Sequence, residues 1–181
     1  MARLAVFIDG AYVDFMLREE FEGVRIDHQR FAGELVPAGS DLLRCYYYTC
    51  PPHVSDPPTE DERIRQQSFD RFNFALGRIP RFEVRLGKLA KRFNQDGTVR
   101  YEQKRVDALL SIDVVRLASK QQIQELVLVA GDSDFVPALQ AAKDEGVLVR
   151  LYHGSEPHRE LLQTADECRR IDAAFVQRVL R

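Results

Sequence analysis

The sequence contains no run of about 20 consecutive apolar residues, so it offers no candidate for a bilayer-spanning helix. Its opening apolar run, residues 4–8, meets an acid at Asp9 and is too short for the core of a secretion signal. Only three cysteines occur, Cys45, Cys50 and Cys168, with no CxxC pair. That excludes a zinc ribbon and a redox dithiol, and it fits a reducing, cytoplasmic setting. Net charge is also nearly absent. Twenty-six Lys and Arg stand against 28 Asp and Glu, which excludes a strongly basic field around the whole protein, so any anionic partner must be met by a local patch. No Gly-rich phosphate loop follows the first apolar run, which argues against nucleotide binding of the dinucleotide-fold type. His28, His53, His153 and His158 lie in helix or loop contexts, and no GxSxG elbow accompanies them, so Ser/His/Asp catalysis has little support.

What is present is apolar and alternates in period. The 181 residues are 45% hydrophobic, enough for one domain spanning 1–181 with a substantial core. Residues 4–8 (Leu-Ala-Val-Phe-Ile), 126–129 (Leu-Val-Leu-Val) and 147–152 are nearly pure apolar runs, the pattern of strands buried on both faces of a parallel sheet. Residues 42–49 are also rich in strand formers. Helices are expected to about Glu20, from Asp27 with Phe31, Leu35 and Val36 inward, over 106–118, over about 134–145, and over about 172–180. Residues 50–59 carry four prolines and must be a loop. Thr59 and Glu62 have capping-box spacing, so a helix should begin there and run to Leu76 with Ile64, Phe69, Phe72 and Leu76 inward. Residues 82–93 and 98–103 flank Asn94-Gln95-Asp96-Gly97, a hairpin signal. This alternation predicts an α/β fold: a mainly parallel sheet covered on both faces, with an inserted β-hairpin.

In such sheets ligands bind beyond the carboxyl ends of the strands. Asp9 follows the first buried strand, and Gly131-Asp132-Ser133-Asp134 follows the second. Asp134 alone reads as a helix N-cap, with Pro137 in the first turn, and Asp9 could cap in the same way. Carboxylates converging on one edge nevertheless repel one another unless a cation is present, and Mg²⁺ or Mn²⁺ suits hard oxygen ligands. Asp107 opens a helix whose N-terminus should lie at the same edge. Asp113, six residues on, is ~9 Å further along and rotated by ~240°, which marks it as a supporting or structural group.

Residues 78–105 hold nine Lys and Arg against three Asp and Glu, a local +6 that leaves −8 on the rest of the chain. Phe82, Phe93 and Tyr101 interleave with this charge. A basic hairpin with aromatics could line a groove for a single-stranded backbone; equally, period-2 alternation could turn its aromatics into the core and its cations to water.

Phe7-Ile8-Asp9-Gly10, Lys104-Arg105-Val106-Asp107 and Gly131-Asp132-Ser133-Asp134-Phe135-Val136-Pro137 together resemble the three acidic motifs of NYN domains, nearest the LabA-like (DUF88) branch of the PIN-like nuclease superfamily. The resemblance covers about residues 4–152, leaving a C-terminal strand/helix extension over about 153–181. It implies a three-layer α/β/α, PIN-like (Rossmannoid) fold with a mainly parallel central sheet. It also implies a metal-dependent ribonuclease in which Asp9, Asp107, Asp132 and Asp134 form the catalytic, metal-holding cluster with Mg²⁺ or Mn²⁺. Lys88, Lys104, Arg105, Ser133 and Tyr12 would then contact the substrate, a single-stranded RNA. In one departure, Tyr12 stands where the family frequently has Asn. A membrane partner is not expected, and a homodimer with a longer groove is compatible with this reading.

Two further readings stay open. A non-catalytic RNA-binding or regulatory module could keep the same fold. Gly131-Asp132-Ser133-Asp134 also resembles the late acidic motif of phosphatases of the haloacid-dehalogenase type, but that class needs an acid two residues after its nucleophilic Asp, where this chain has Ala11.

Overall fold

Strand β1 (Ala2–Asp9) shows why an apolar run becomes a central strand. Residues 4–8 are all fully buried, and successive side chains enter opposite cores, Ala5 and Phe7 on one face and Leu4, Val6 and Ile8 on the other. Strand β6 (Glu125–Val129) repeats the device, with Leu126 and Leu128 on the first face and Val127 and Val129 on the second. The computed structural model describes residues 1–93 and 99–181, with side chains described outside 90–104.

The main sheet has the order β3 (Phe82–Leu86), β2 (Ser40–Thr49), β1, β6, β7 (Leu148–His153), β8 (Glu167–Arg170), with every pairing parallel. Helices α4 (Val106–Ser119), α5 (Val136–Asp144) and α6 (Arg159–Thr164) cover the Phe7 face. Helices α1 (Gly10–Glu20), α2 (His28–Glu34) and α7 (Ala173–Val179) cover the other, joined there by the end of α3 (Glu60–Gly77). The result is the three-layer α/β/α arrangement anticipated from the alternation. Chain order reverses between β1 and β6, so the crevice at their carboxyl ends is the topological switch point where open α/β sheets take ligands.

Most boundaries follow the local chemistry. Thr59 and Glu62 form the complete capping box at the start of α3, and Asp27 and Asp172 cap α2 and α7. Gly10 lets α1 start against β2: a Cβ there would lie 2.6 Å from the Tyr47 ring and 2.7 Å from the Tyr48 carbonyl oxygen.

Several expectations need correction. Residues 82–93 are not one hairpin arm. Phe82–Leu86 belongs to the parallel sheet, and only β4 (Lys88–Phe93) pairs antiparallel with β5 (Val99–Lys104). The expected Asn94-Gln95-Asp96-Gly97 turn lies outside the described residues. Ile64 does not face the core; it is exposed near the solvent end of α3, whereas Leu76 is buried. Beyond β7 the chain adds α6, then β8 as a sixth strand beside β7, then α7; of these only α6 has no counterpart among the expected elements.

Candidate active site

Asp9 ends β1 and caps α1, its Oδ1 accepting from the N–H groups of Ala11 (3.1 Å) and Tyr12 (3.3 Å). Asp107 lies in the first turn of α4, delivered there by Arg105, which takes a left-handed conformation (φ 74°) to turn the chain out of β5. Asp132 and Asp134 follow β6. Here the structure reverses the expected capping: Asp132, not Asp134, is the cap, its Oδ1 accepting from the Asp134 N–H (3.3 Å). A 3-10 turn, Ser133–Phe135, precedes α5, so Pro137 lies in the first turn of a helix that starts at Val136. Asp134 is thereby released from capping and stands exposed.

The four carboxylates are electrostatic neighbours. Burial, reinforced by the charges of Asp107 and Asp132, pushes the Asp9 carboxyl up to about 6 against the pull of two backbone N–H donors. Burial first, then Asp134 and Asp132, also raises Asp107. Asp107 is therefore the member that adjoins the other three, and Asp134 joins the group through it. Among the described residues none of the four has a Lys, Arg or His within ion-pair distance. This donor set, all carboxylate oxygen and self-repelling, suits a hard divalent cation. As placed, no three His, Cys, Asp or Glu side chains among the described residues close around a common metal position.

Asp113 is apart from this group. It is buried, accepts from the Tyr48 hydroxyl (2.9 Å), and pairs with Arg116 (2.9 Å) and Arg85 (3.2 Å), a structural role that joins α4 to β2 and β3. The Arg85 contact is electrostatic only, since its Nε is not aligned for a hydrogen bond.

The expected substrate contacts divide. Ser133 sits between Asp132 and Asp134 in the 3-10 turn. Lys88 and Arg105 are exposed at the ends of the hairpin segment, and the side chain of Lys104, like those of Phe93 and Tyr101, lies outside the described ones. Phe82 is core, so for this aromatic the period-2 reading holds. Part of the basic segment is committed locally: Arg81 pairs with Asp41, and Arg85 with Glu83 and Asp113. Tyr12 is a brace. Its hydroxyl accepts from the Gly154 N–H (2.7 Å) and its ring lies against Gly131, where any Cβ would overlap it. Burial raises its pKa, so the hydroxyl keeps its proton.

Beside Asp132 runs a groove of about 510 Å³ lined by Tyr12, Phe15, Gly131, Asp132, Glu156, Pro157, His158 and Arg159. Sequence reasoning did not find Phe15 or the 156–159 wall. The signal was available: Phe15 lies on the helix after the first buried strand and residues 156–159 follow the third, so asking what comes after each strand end leads to both as it leads to Asp9 and Asp132. A groove of similar size between α4 and α5, lined by Ile112, Val115, Pro137 and others, contains no acid.

An uncharacterized protein of Sinorhizobium fredii, y4oD, is 37% identical over 84 residues, 44% of this chain and 39% of that protein, so the match spans well under half of the relative. The crystal structure of VPA0982, a protein of unknown function from Vibrio parahaemolyticus RIMD 2210633, superposes with a TM-score of 0.68 at 20% identity, covering 99% of this chain and 96% of that one, a likeness of fold. The family model described as NYN domain matches residues 3–172, nearly the whole chain and all three acidic segments, and the chain therefore belongs to the NYN domain family, within the PIN-like nuclease superfamily.

Proposed function

We propose that this protein is a divalent-metal-dependent ribonuclease that hydrolyses phosphodiester bonds of single-stranded RNA at the β1/β6 switch point. The observation that supports this most strongly is that three separate segments deliver Asp9, Asp107, Asp132 and Asp134 to one edge, where mutual repulsion and burial hold Asp9 up to about 6.

Asp9 and Asp132 are the direct ligands in this reading. Each uses Oδ1 for backbone N–H groups, which leaves Oδ2 for the cation. Asp107 and Asp134 complete the set, directly or through water. The ion, Mg²⁺ or Mn²⁺, supplies Lewis acidity to the phosphodiester and neutralises charge developing in the transition state. Lys88, Lys104, Arg105 and Ser133 hold the RNA backbone, and Tyr12 positions the edge through Gly131 and Gly154. The reading takes residues 1–181 as one domain acting in the cytoplasm, alone or as a homodimer; no helix among the described residues is long and apolar enough to cross a membrane.

One observation favours a second reading, a non-catalytic RNA-binding module: the carboxylates do not close around a metal position as placed. Cleavage of single-stranded RNA with Mn²⁺ separates the two. The ribonuclease reading expects turnover by the wild type and its loss in Asp132→Asn, which keeps the capping oxygen. Equal activity in both proteins removes that reading, and metal-independent RNA binding without turnover establishes the second.

A further inference from the structure

We infer that the groove between the start of α1 and the loop after β7 is a subsite for one nucleotide of the RNA chain, adjoining the scissile phosphate. Its base stacks on Phe15, and its phosphate is held by Arg159 and His158. The inference rests on the ribonuclease reading for its substrate class, while its evidence is a different set of residues.

The groove opens directly onto Asp132, and its volume of about 510 Å³ is within the ~300–1,000 Å³ usual for small-molecule sites. Its walls are preformed. The His158 N–H donates to the Gly131 carbonyl (2.9 Å), the Gly154 N–H donates to the Tyr12 hydroxyl (2.7 Å), and the Ser155 N–H donates to the Glu20 carboxylate (2.9 and 3.0 Å). The 154–158 loop is thus tied at three points to α1 and to the turn that carries Asp132, so little ordering entropy remains to be lost on binding.

The lining suits a nucleotide. Phe15 lies three residues after Tyr12 on α1, on the same helical face, and is 52% exposed while Val13, Met16 and Leu17 are buried. Every base has a π-face, so an exposed ring here offers stacking without sequence demand. Arg159 on the opposite wall has no carboxylate partner among the described residues, unlike Arg81, Arg85, Arg116, Arg150 and Arg178. An uncommitted cation in the same groove as Asp132 is what a polyanion needs to approach the acidic edge. Glu156 repels phosphate from its part of the rim, which leaves the backbone to the Arg159 side and the base to Phe15 and Pro157.

Phe74 supplies a matched control. It too is exposed and carries an arginine over its ring, Arg78 at 5.6 Å as against Arg18 at 5.7 Å over Phe15, but it sits on α3 and lines neither groove. The test measures binding of a fluorescein-labelled single-stranded RNA decamer by anisotropy, in EDTA and in Mn²⁺, alongside Mn²⁺-dependent cleavage. Phe15→Ala and Arg159→Ala are expected to raise Kd by about tenfold or more, and Phe74→Ala to leave it unchanged. Unchanged affinity in both groove variants overturns the subsite, and wild-type cleavage in the same assay would leave the ribonuclease reading standing. Lost affinity in the groove variants with no cleavage by the wild type upholds the subsite and removes the ribonuclease reading. Absence of RNA binding by the wild type in both buffers overturns the subsite outright.

Discussion

Replacing Asp9 by Asn should make the metal-free protein more stable at neutral pH. In the folded state the Asp9 carboxyl rises from 3.8 to about 6 through burial and its acidic neighbours. At ~1.36 kcal/mol per unit this amounts to about 3 kcal/mol of strain in the ionised form, or about 1–3 kcal/mol once solvent screening at the rim is allowed for. Because the folded pKa lies above the unfolded one, the folded protein holds a proton that the unfolded chain has already released between about pH 4 and 6. Stability is therefore lost as pH rises through that window, and the full cost is present at pH 7.5. Asn cannot ionise, yet its side-chain oxygen can still accept from Ala11 and Tyr12, and Asn caps helices as well as Asp does. The variant should gain about 3–10 °C in Tm at pH 7.5 in EDTA and nothing near pH 4. Saturating Mn²⁺ should reverse the order, because the wild type gains ~2.7 kcal/mol at a hundredfold excess over Kd while the variant has lost a ligand. Differential scanning calorimetry in the two buffers reads all three values. A variant that is neutral or destabilised at pH 7.5 without metal would refute the electrostatic argument.

Three other outcomes follow from the packing. Gly131→Ala places a methyl group against the Tyr12 ring and should lower stability by about 1–3 kcal/mol in urea unfolding, a loss that Tyr12→Ala in the same chain should partly relieve. Asp113→Ala leaves Arg85, Arg116 and the Tyr48 hydroxyl facing an emptied buried position, and should cost about 3 kcal/mol or more by the same measurement, with any loss of activity tracking unfolding. Thr59→Ala removes half of the capping box and should cost about 1 kcal/mol without altering RNA binding.

The sheet was legible in the sequence because strands buried on both faces need uninterrupted apolar runs, and residues 4–8 and 126–129 have little other use. The acidic edge was legible for a related reason: the residue after a buried strand has only one place to go. Capping at β6 was misjudged because Pro137 marks the first turn of α5 but not the 3-10 turn before it, and that turn shifts the cap from Asp134 to Asp132. Residues 82–93 read as one arm because Gly87, between β3 and β4, is a weak break in an otherwise extended pattern. Ile64 departs from the expected stripe because α3 meets the hydrophobic core through Phe72 and Leu76 in its C-terminal half, while the one buried residue of its first turn, Glu62, is held by polar contacts with Ser55 and Thr59. The 156–159 wall of the groove comes from a loop with no motif of its own; its position after β7 points to the active edge, and the hydrogen bonds of the 154–158 loop to Tyr12, Glu20 and Gly131 fix where it lies.

The central claim is that Asp9, Asp107 and Asp132, with Asp134 beside them, are a divalent-metal site. Anomalous diffraction from crystals soaked in Mn²⁺ tests it most directly. The account predicts a manganese peak at the β1/β6 switch point within coordination distance of Asp9 and Asp132, ~2.0–2.3 Å, that is lost in Asp132→Asn. A fully soaked crystal with no peak there, or with its peak at another cluster, would contradict it.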